Sequence, residues 1–439
     1  VLPSLGEAGV QLATLGDAVG GVRISDSRDE EDVSRLKGDL RMVRMIARAA
    51  RTRQQPLRDD VRVGHGLQWL TVPAAATESI ISEARRRFRT HNAARRFVEA
   101  EFFAVMAEGG RGDLDPEGLR ERLRGEIAVR EALEWMWPVL TPAQLLNDLF
   151  GSHALLRAAD PSLTDVEVDS LYRPRALVSD EILWSASDAP LLDEARAVLG
   201  PRPGRREEDA VRTYGHIVVD EIQDMSPMDL RMLDRRSLNG SMTVVGDIAQ
   251  ATGAWAHHDW ESILDHLPDR RPARRNELTV GYRIPAPLMD VASRVLREAA
   301  SDLAPPTSVR SDGDPPRYVH VVNLAKDLVA AVLVELEAVE TGNLAVVVAR
   351  SQVVEVEQAL VDAGIEFGQP TRRGLDERIA VVPVSLVKGL EVDAALVVEP
   401  SRIVREQDQG MRALYVALTR ATKRLTILHS EALPSVLVG

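Results

Sequence analysis

The chain reads as an α/β protein in which a mostly helical block precedes a doubly wound parallel sheet, and two observations predict this. Short valine-rich runs recur at residues 216–219, 242–245, 344–348, 380–384 and 394–398, separated by segments of helical periodicity. Unbroken apolar runs of that length suit strands buried on both faces. Earlier in the chain, residues 30–53, 77–108, 116–136 and 142–158 carry amphipathic helical spacing, and only 66–72 resembles a strand. Asp115 with Pro116, and Thr141 with Pro142, have the form of helix starts, a capping side chain followed by proline at the first helical position. Residues 161–206 contain Pro174, Pro190, Pro201 and Pro203 with weak periodicity, which predicts a long loop or arm. No internal repeat is present.

Composition narrows the class. A chain of 439 residues is long enough for about two to three domains. No apolar run approaches the length needed to span a bilayer, so no membrane partner is expected. The absence of cysteine excludes disulfides, thiolate zinc sites and cysteine nucleophiles, and a reducing cytoplasm is the expected compartment. Fifty-four basic against 67 acidic residues give a net charge of −13, a field that repels a phosphate backbone unless basic residues segregate onto one face. Aromatic residues at 4% leave few rings for stacking bases, so nucleic acid is a secondary partner in this reading. Arginines are dense in 41–53 and 85–96, where solvated helix faces or a protein interface are preferred over a nucleic-acid face. The chain begins at Val1 and is expected to continue a longer protein.

Five stretches carry chemistry. In HIVVDEIQD (216–224) an apolar strand ends in two carboxylates, which at the end of a parallel strand can hold Mg2+ through Asp220 and orient a water through Glu221. A strand followed by a charged turn is the plainer reading of this pair alone. TVVGDIAQ (243–250) ends a second strand with Gln250, a neutral amide able to sense a terminal phosphate. LTVGYR (278–283) offers the Tyr282 ring to a base and the Arg283 fork to phosphate oxygens. VSLVKGLEVD (384–393) places Lys388 and Gly389 in a turn where backbone can approach a ligand, with Glu391 able to accept from a ribose. LYVALTRATKR (414–424) reads as a helix with Arg420 near its polar side.

In this order and spacing the five stretches resemble motifs II to VI of the superfamily 1 UvrD/Rep-like helicases. The resemblance implies two RecA-like P-loop NTPase domains clamping ATP, with Asp220 and Glu221 serving the magnesium ion and the attacking water. It further implies Gln250 beside the γ-phosphate, Arg283 and Arg420 as arginine fingers, Tyr282 on the adenine, Gly389 in the binding turn and Glu391 on the ribose. Three departures stand out. No GxxxxGK[ST] phosphate loop occurs in the sequence, so the loop is expected upstream, and the chain alone is not expected to hydrolyse ATP. Only residues 284–387 lie between Arg283 and Lys388, little more than a RecA-like domain needs, where UvrD-type enzymes carry a large duplex-handling domain. Ser385 also stands where many relatives have histidine.

VLPSLGE (1–7), GDIAQATGAW (246–255) and VPVSLVKGLEVD (382–393) are similar to the actinobacterial HelD family. That likeness implies an ATPase that binds RNA polymerase core, opens its nucleic-acid channel and recycles it, with displacement of a rifamycin as a further expectation. The expected domains are a first RecA-like domain at 1–25 and 207–275, a helical insertion at 26–206 with its proline-bearing arm at 161–206, and a second RecA-like domain at 276–439. The arm's Asp165, Glu167, Asp169, Asp180, Glu181 and Asp188 offer either a phosphate mimic or a solvated acidic loop. A single-stranded DNA translocase of the UvrD kind is the alternative, and a non-catalytic binding module is a third reading.

Overall fold

A computed structural model gives the structure of the chain; it describes residues 11–438 apart from 26, 28, 179, 180, 206, 208, 269–271, 369, 372, 373 and 376, and of 370, 371, 374 and 375 the backbone alone. VLPSLGE (1–7) and Asp180 therefore lie outside the described residues. The described residues pack into two compact units. One draws on Val1–Val218, Met225–Thr243 and Ile263–Pro268, the other on Val219–Asp224, Val244–Ser262 and Asp269–Gly439.

In the first unit the expected long helices each break. Residues 30–53 form α1 (Glu31–Gly38) and α2 (Arg41–Thr52), because the Asp39 carboxylate accepts the Arg41 N–H at 2.7 Å and competes with the helix. β1 (Val61–His65) and β2 (Gln68–Val72) form an antiparallel hairpin whose turn uses Gly66 at φ 62°. The apolar face of β1 ends after Val61 and Val63 at His65, which is why only the second strand was legible. There follow α3 (Ala74–Arg87), α4 (Arg95–Glu108), α5 (Pro116–Leu123), α6 (Ile127–Met136), α7 (Pro142–Phe150) and α8 (His153–Ala159). Asp115 caps α5 by accepting the Gly118 N–H at 2.8 Å, and Thr141 caps α7 in a reciprocal box with Gln144. Phe102, Phe103, Met106 and Trp137 pack with Leu70 of the hairpin in one core; Ile46, Leu146, Phe150 and Leu192 belong to another.

Residues 161–206 are not a bare loop. They contain α9 (Asp165–Leu171) and α10 (Ala189–Leu199), and Trp184, Leu191, Leu192 and Leu199 are buried. Pro190 lies in the first turn of α10, where no N–H is required, so it starts a helix that its presence had argued against. Four of the six acidic residues, Asp165, Glu167, Asp169 and Asp188, are engaged within the unit. Asp188 is buried against Lys37 and Arg173, each at 2.9 Å. Glu167 meets Arg41 at 2.9 Å, Asp165 meets Arg157 at 2.7 Å and Asp169 meets His153 at 3.2 Å. On α10, Asp193 accepts from Arg235 and Arg236 of α11 (Pro227–Arg236), and Glu194 accepts from Arg231 at 2.8 Å.

β3 (Ile217–Val219) and β4 (Met242–Val244) pair with each other. Among the described residues this pair is what stands where a first RecA-like sheet was expected. In the second unit come α12 (Ala286–Ala299), β5 (Arg317–His320), α13 (Leu324–Ala338), β6 (Leu344–Val348), α14 (Val353–Asp362), β7 (Ile379–Pro383), β8 (Val392–Val398), α15 (Pro400–Glu406), α16 (Gly410–Leu418) and β9 (Ala421–His429). Five of the strands form one sheet, in the order β7-β6-β8-β9-β5 with every neighbouring pair parallel. The valine runs now have their physical reason: successive residues feed opposite faces, and both faces are covered. Ala345, Val347, Ala395 and Val397 join a core with α12 and α16, while Leu344, Val346, Leu396 and Val398 join another with α13 and α14. The fold is mixed α/β. The LYVALTRATKR stretch is corrected here: its helix stops at Leu418, where the Thr419 hydroxyl donates back to the Tyr415 and Val416 carbonyls, each at 3.0 Å, and β9 begins at Ala421. Among the described residues no helix is long and apolar enough to cross a membrane.

Candidate functional site

Three loops bring polar groups together in the second unit. Strand β3 ends at Val219, and the chain turns through Glu221 at φ 54°, a left-handed conformation that costs a non-glycine residue about 1–3 kcal/mol. This turn presents both carboxylates. Asp220 is exposed, its Oδ1 accepts the Glu221 N–H at 2.9 Å, and among the described residues no cation pairs with it. Glu221 Oε2 accepts from Gln223 Nε2 at 2.6 Å and faces the Lys388 ammonium at 3.1 Å. Burial pushes the Glu221 pKa up, yet Lys388 and Gln223 more than offset this and hold it below the usual glutamate value.

The second loop follows β4. Gln223, fully buried, accepts the Asp247 N–H through Oε1 at 3.0 Å. Gly246 is required for this approach, since a Cβ there would lie 2.3 Å from that oxygen. Asp247 Oδ2 accepts from Gln250 Nε2 at 2.7 Å, and Gln250 Oε1 accepts from Arg420 Nη2 at 2.8 Å. The Gln250 carbonyl accepts from Lys388 Nζ at 3.1 Å, which closes a ring through Glu221, Gln223, Asp247, Gln250 and Lys388.

The third loop runs from β7 to β8 and carries Lys388, Gly389 and Glu391. Gly389 turns the chain at φ 78°. The Val392 N–H donates to the Arg420 carbonyl at 3.2 Å, so this loop and the α16–β9 junction are tied directly. Arg420 is therefore not on a polar helix face but buried at that junction, with Nε donating to the Val416 carbonyl at 3.0 Å. Burial lowers its pKa, the like charge of Arg283 adds to that pull, and Glu221, Tyr415 and Asp247 oppose it. Arg283 itself pairs with Glu391 at 2.8 Å, both about half exposed. The Tyr282 ring is largely in solvent, at 76% exposed.

Of the residues singled out from the sequence, Glu221, Gln250 and Arg420 enter one connected network, and Arg283 and Glu391 form a pair that acts on Arg420 through the Arg283 charge. Asp220 touches the network only through its Oδ1, which accepts the Glu221 N–H, while Tyr282 and Gly389 flank these groups in sequence and make no side-chain link to them among the described residues. Sequence reasoning assigned no site role to the ring members Gln223, Asp247 and Lys388, although all three lie inside the quoted stretches and Lys388 was placed in the ligand-approach turn. Among the described residues no group of three or more His, Cys, Asp or Glu side chains could hold a metal ion. A magnesium ion bound through the Asp220 carboxylate would take its other ligands from phosphate oxygens and water, the usual habit of this ion.

No curated protein matches the chain. Among solved structures, the C-terminal domain of a possible DNA helicase from Lactobacillus plantarum is similar at 23% identity with a TM-score of 0.29, over 36% of this chain and 92% of that one. Over residues 378–428, the segment that holds Lys388, Gly389, Glu391 and Arg420, the chain is similar to the UvrD-like helicase C-terminal domain.

Proposed function

We propose that the chain is part of an ATP-driven, helicase-like motor of the UvrD/Rep kind whose track is single-stranded DNA, with the phosphate loop supplied from outside these residues. One observation carries the reading: Glu221, Gln250 and Arg420, drawn from three separate motifs, are joined in a single hydrogen-bonded network, with the Arg283 charge acting on it. The match of residues 378–428 to a helicase domain supports the same class. ATP with Mg2+ supplies the phosphoryl group that passes to water. Around it Asp220 would hold the ion, Glu221 would orient the water, and Gln250 would register the terminal phosphate. Arg283 and Arg420 offset charge on the phosphate oxygens, while Tyr282 and Glu391 take the base and the ribose. In the product of the whole gene, single-stranded DNA is expected to raise ATP turnover, and Glu221→Gln to lower it about a hundredfold. Turnover unchanged by Glu221→Gln would end the reading, and no turnover in the unsubstituted product would favour a non-catalytic binding module.

A second reading takes RNA polymerase core as the partner, in the manner of HelD. Its support is that the described residues of 284–387 fold into the helices and strands of the sheet domain itself, and among them there is no insertion of duplex-handling size. Stable binding to core polymerase, ATP turnover that responds to polymerase rather than to DNA, and relief of rifamycin inhibition are the expected results. Failure to bind polymerase would remove this reading and leave the first intact.

A further inference from the structure

Lys388 is the one member of the ring that reaches both other loops. Its ammonium carries three protons, and three acceptors meet it: Glu221 Oε2 at 3.1 Å, the Gln250 carbonyl at 3.1 Å, and Asp224 Oδ2 in close contact. The side chain is only 16% exposed, so water competes weakly for these bonds. Asp224 uses its other oxygen to accept the Thr252 and Gly253 N–H groups, each at 3.2 Å, so the lysine also fastens the loop that follows Gln250. Glu221 Oε2 takes a second donor in Gln223 Nε2, and among the described residues no donor reaches Oε1.

We infer that Lys388 is a positioning residue: it saturates one oxygen of Glu221, leaves Oε1 as the edge presented to a nucleophilic water, and ties that carboxylate to the Gln250 carbonyl. The inference deepens the nucleotide reading of this site and rests on it. Lys388 touches no substrate in this arrangement. It determines which lone pairs of Glu221 are available, and through Gln250 it couples that choice to the amide that Arg420 contacts. An ammonium suits the task because its three protons diverge in space, whereas a guanidinium presents its donors in one plane.

The test uses Lys388→Met and Lys388→Arg. Hydrogen exchange on the chain is expected to show the Thr252 and Gly253 amides exchanging about tenfold faster in Lys388→Met, with the β6 amides unchanged as proof that the sheet is folded. In the product of the whole gene, kcat is expected to fall about tenfold or more in Lys388→Met while KM for ATP stays within about threefold, and Lys388→Arg is expected to recover part of the loss. Faster exchange with kcat unchanged would reduce Lys388 to a fold staple and overturn the inference, as would unchanged exchange. If the wild-type protein turns over no ATP, the nucleotide reading falls and the inference with it; the exchange result then tells that failure apart from a misplaced lysine.

Discussion

Part of the stability that acidification removes from the first unit should run through one imidazole. His91 is 3% exposed; its Nε2 lies 2.7 Å from the Pro138 carbonyl, its Nδ1 lies 3.2 Å from Gln54 Nε2, and its ring stacks on Trp137 with centroids 5.2 Å apart. The two contacts define a neutral tautomer, with Nε2–H donating to the carbonyl and Nδ1 accepting from the amide. Burial lowers the pKa from 6.5 to about 4, the Pro138 carbonyl opposes this, and the Arg53 and Arg95 charges reinforce it. Between those two values the unfolded chain binds a proton that the folded chain refuses. Stability from this group is therefore fully present above pH 6.5 and is lost as the pH falls toward 4. A gap of about 2.5 pH units at about 1.4 kcal/mol each gives a loss of about 3.5 kcal/mol. The imidazole titration can be followed by NMR in the folded chain, and the urea midpoint monitored by tryptophan fluorescence at pH 7 and pH 4 for wild type and His91→Gln. Other carboxylates titrate in both proteins, so the difference between them isolates His91. A folded-state titration near 6.5, or an equal midpoint shift in the two proteins, would refute the reasoning.

Three further outcomes are expected. Asp193→Ala removes the carboxylate that Arg235 and the buried Arg236 share, and leaving that charge unpaired should cost about 3–5 kcal/mol, read as a lower urea midpoint. Arg283→Ala breaks a half-exposed pair with Glu391 and should change stability by less than about 1 kcal/mol, while ATP turnover of the whole gene product falls by more than about tenfold. Equal losses in both measurements would remove Arg283 from the site. Gly246→Ala should push Gln223 away from the Asp247 N–H and from Glu221, lowering turnover and costing about 1–3 kcal/mol, whereas Gly240→Ala, at a turn glycine outside the ring, should leave turnover unchanged.

Much of the local structure was legible from the chain because it is set by neighbours in sequence. The run at 344–348 is a strand with those bounds, and those at 380–384 and 394–398 shift by a residue or two. The caps at Asp115 and Thr141 are where composition placed them. The missed strands β5 and β9 lie toward the sheet edge and carry polar residues such as Arg317, Lys423 and Arg424, so neither looked buried throughout. The helix expected through Arg420 ran on because ATKRL has no glycine or proline to stop it; the stop comes from Thr419 bonding back to the preceding turn.

By itself the sequence determined the α/β class, the helix starts and the stretches from which the polar site is drawn, since periodicity and capping act over a few residues. The tertiary structure alone decided that residues 161–206 pack as helices around Trp184 and Leu192, that Arg420 is buried at a helix–strand junction, and that Lys388 meets Asp224 across 164 positions of chain. Such pairings depend on the register of the parallel sheet and on loops folding back from separate strands, and no local pattern of residues encodes them.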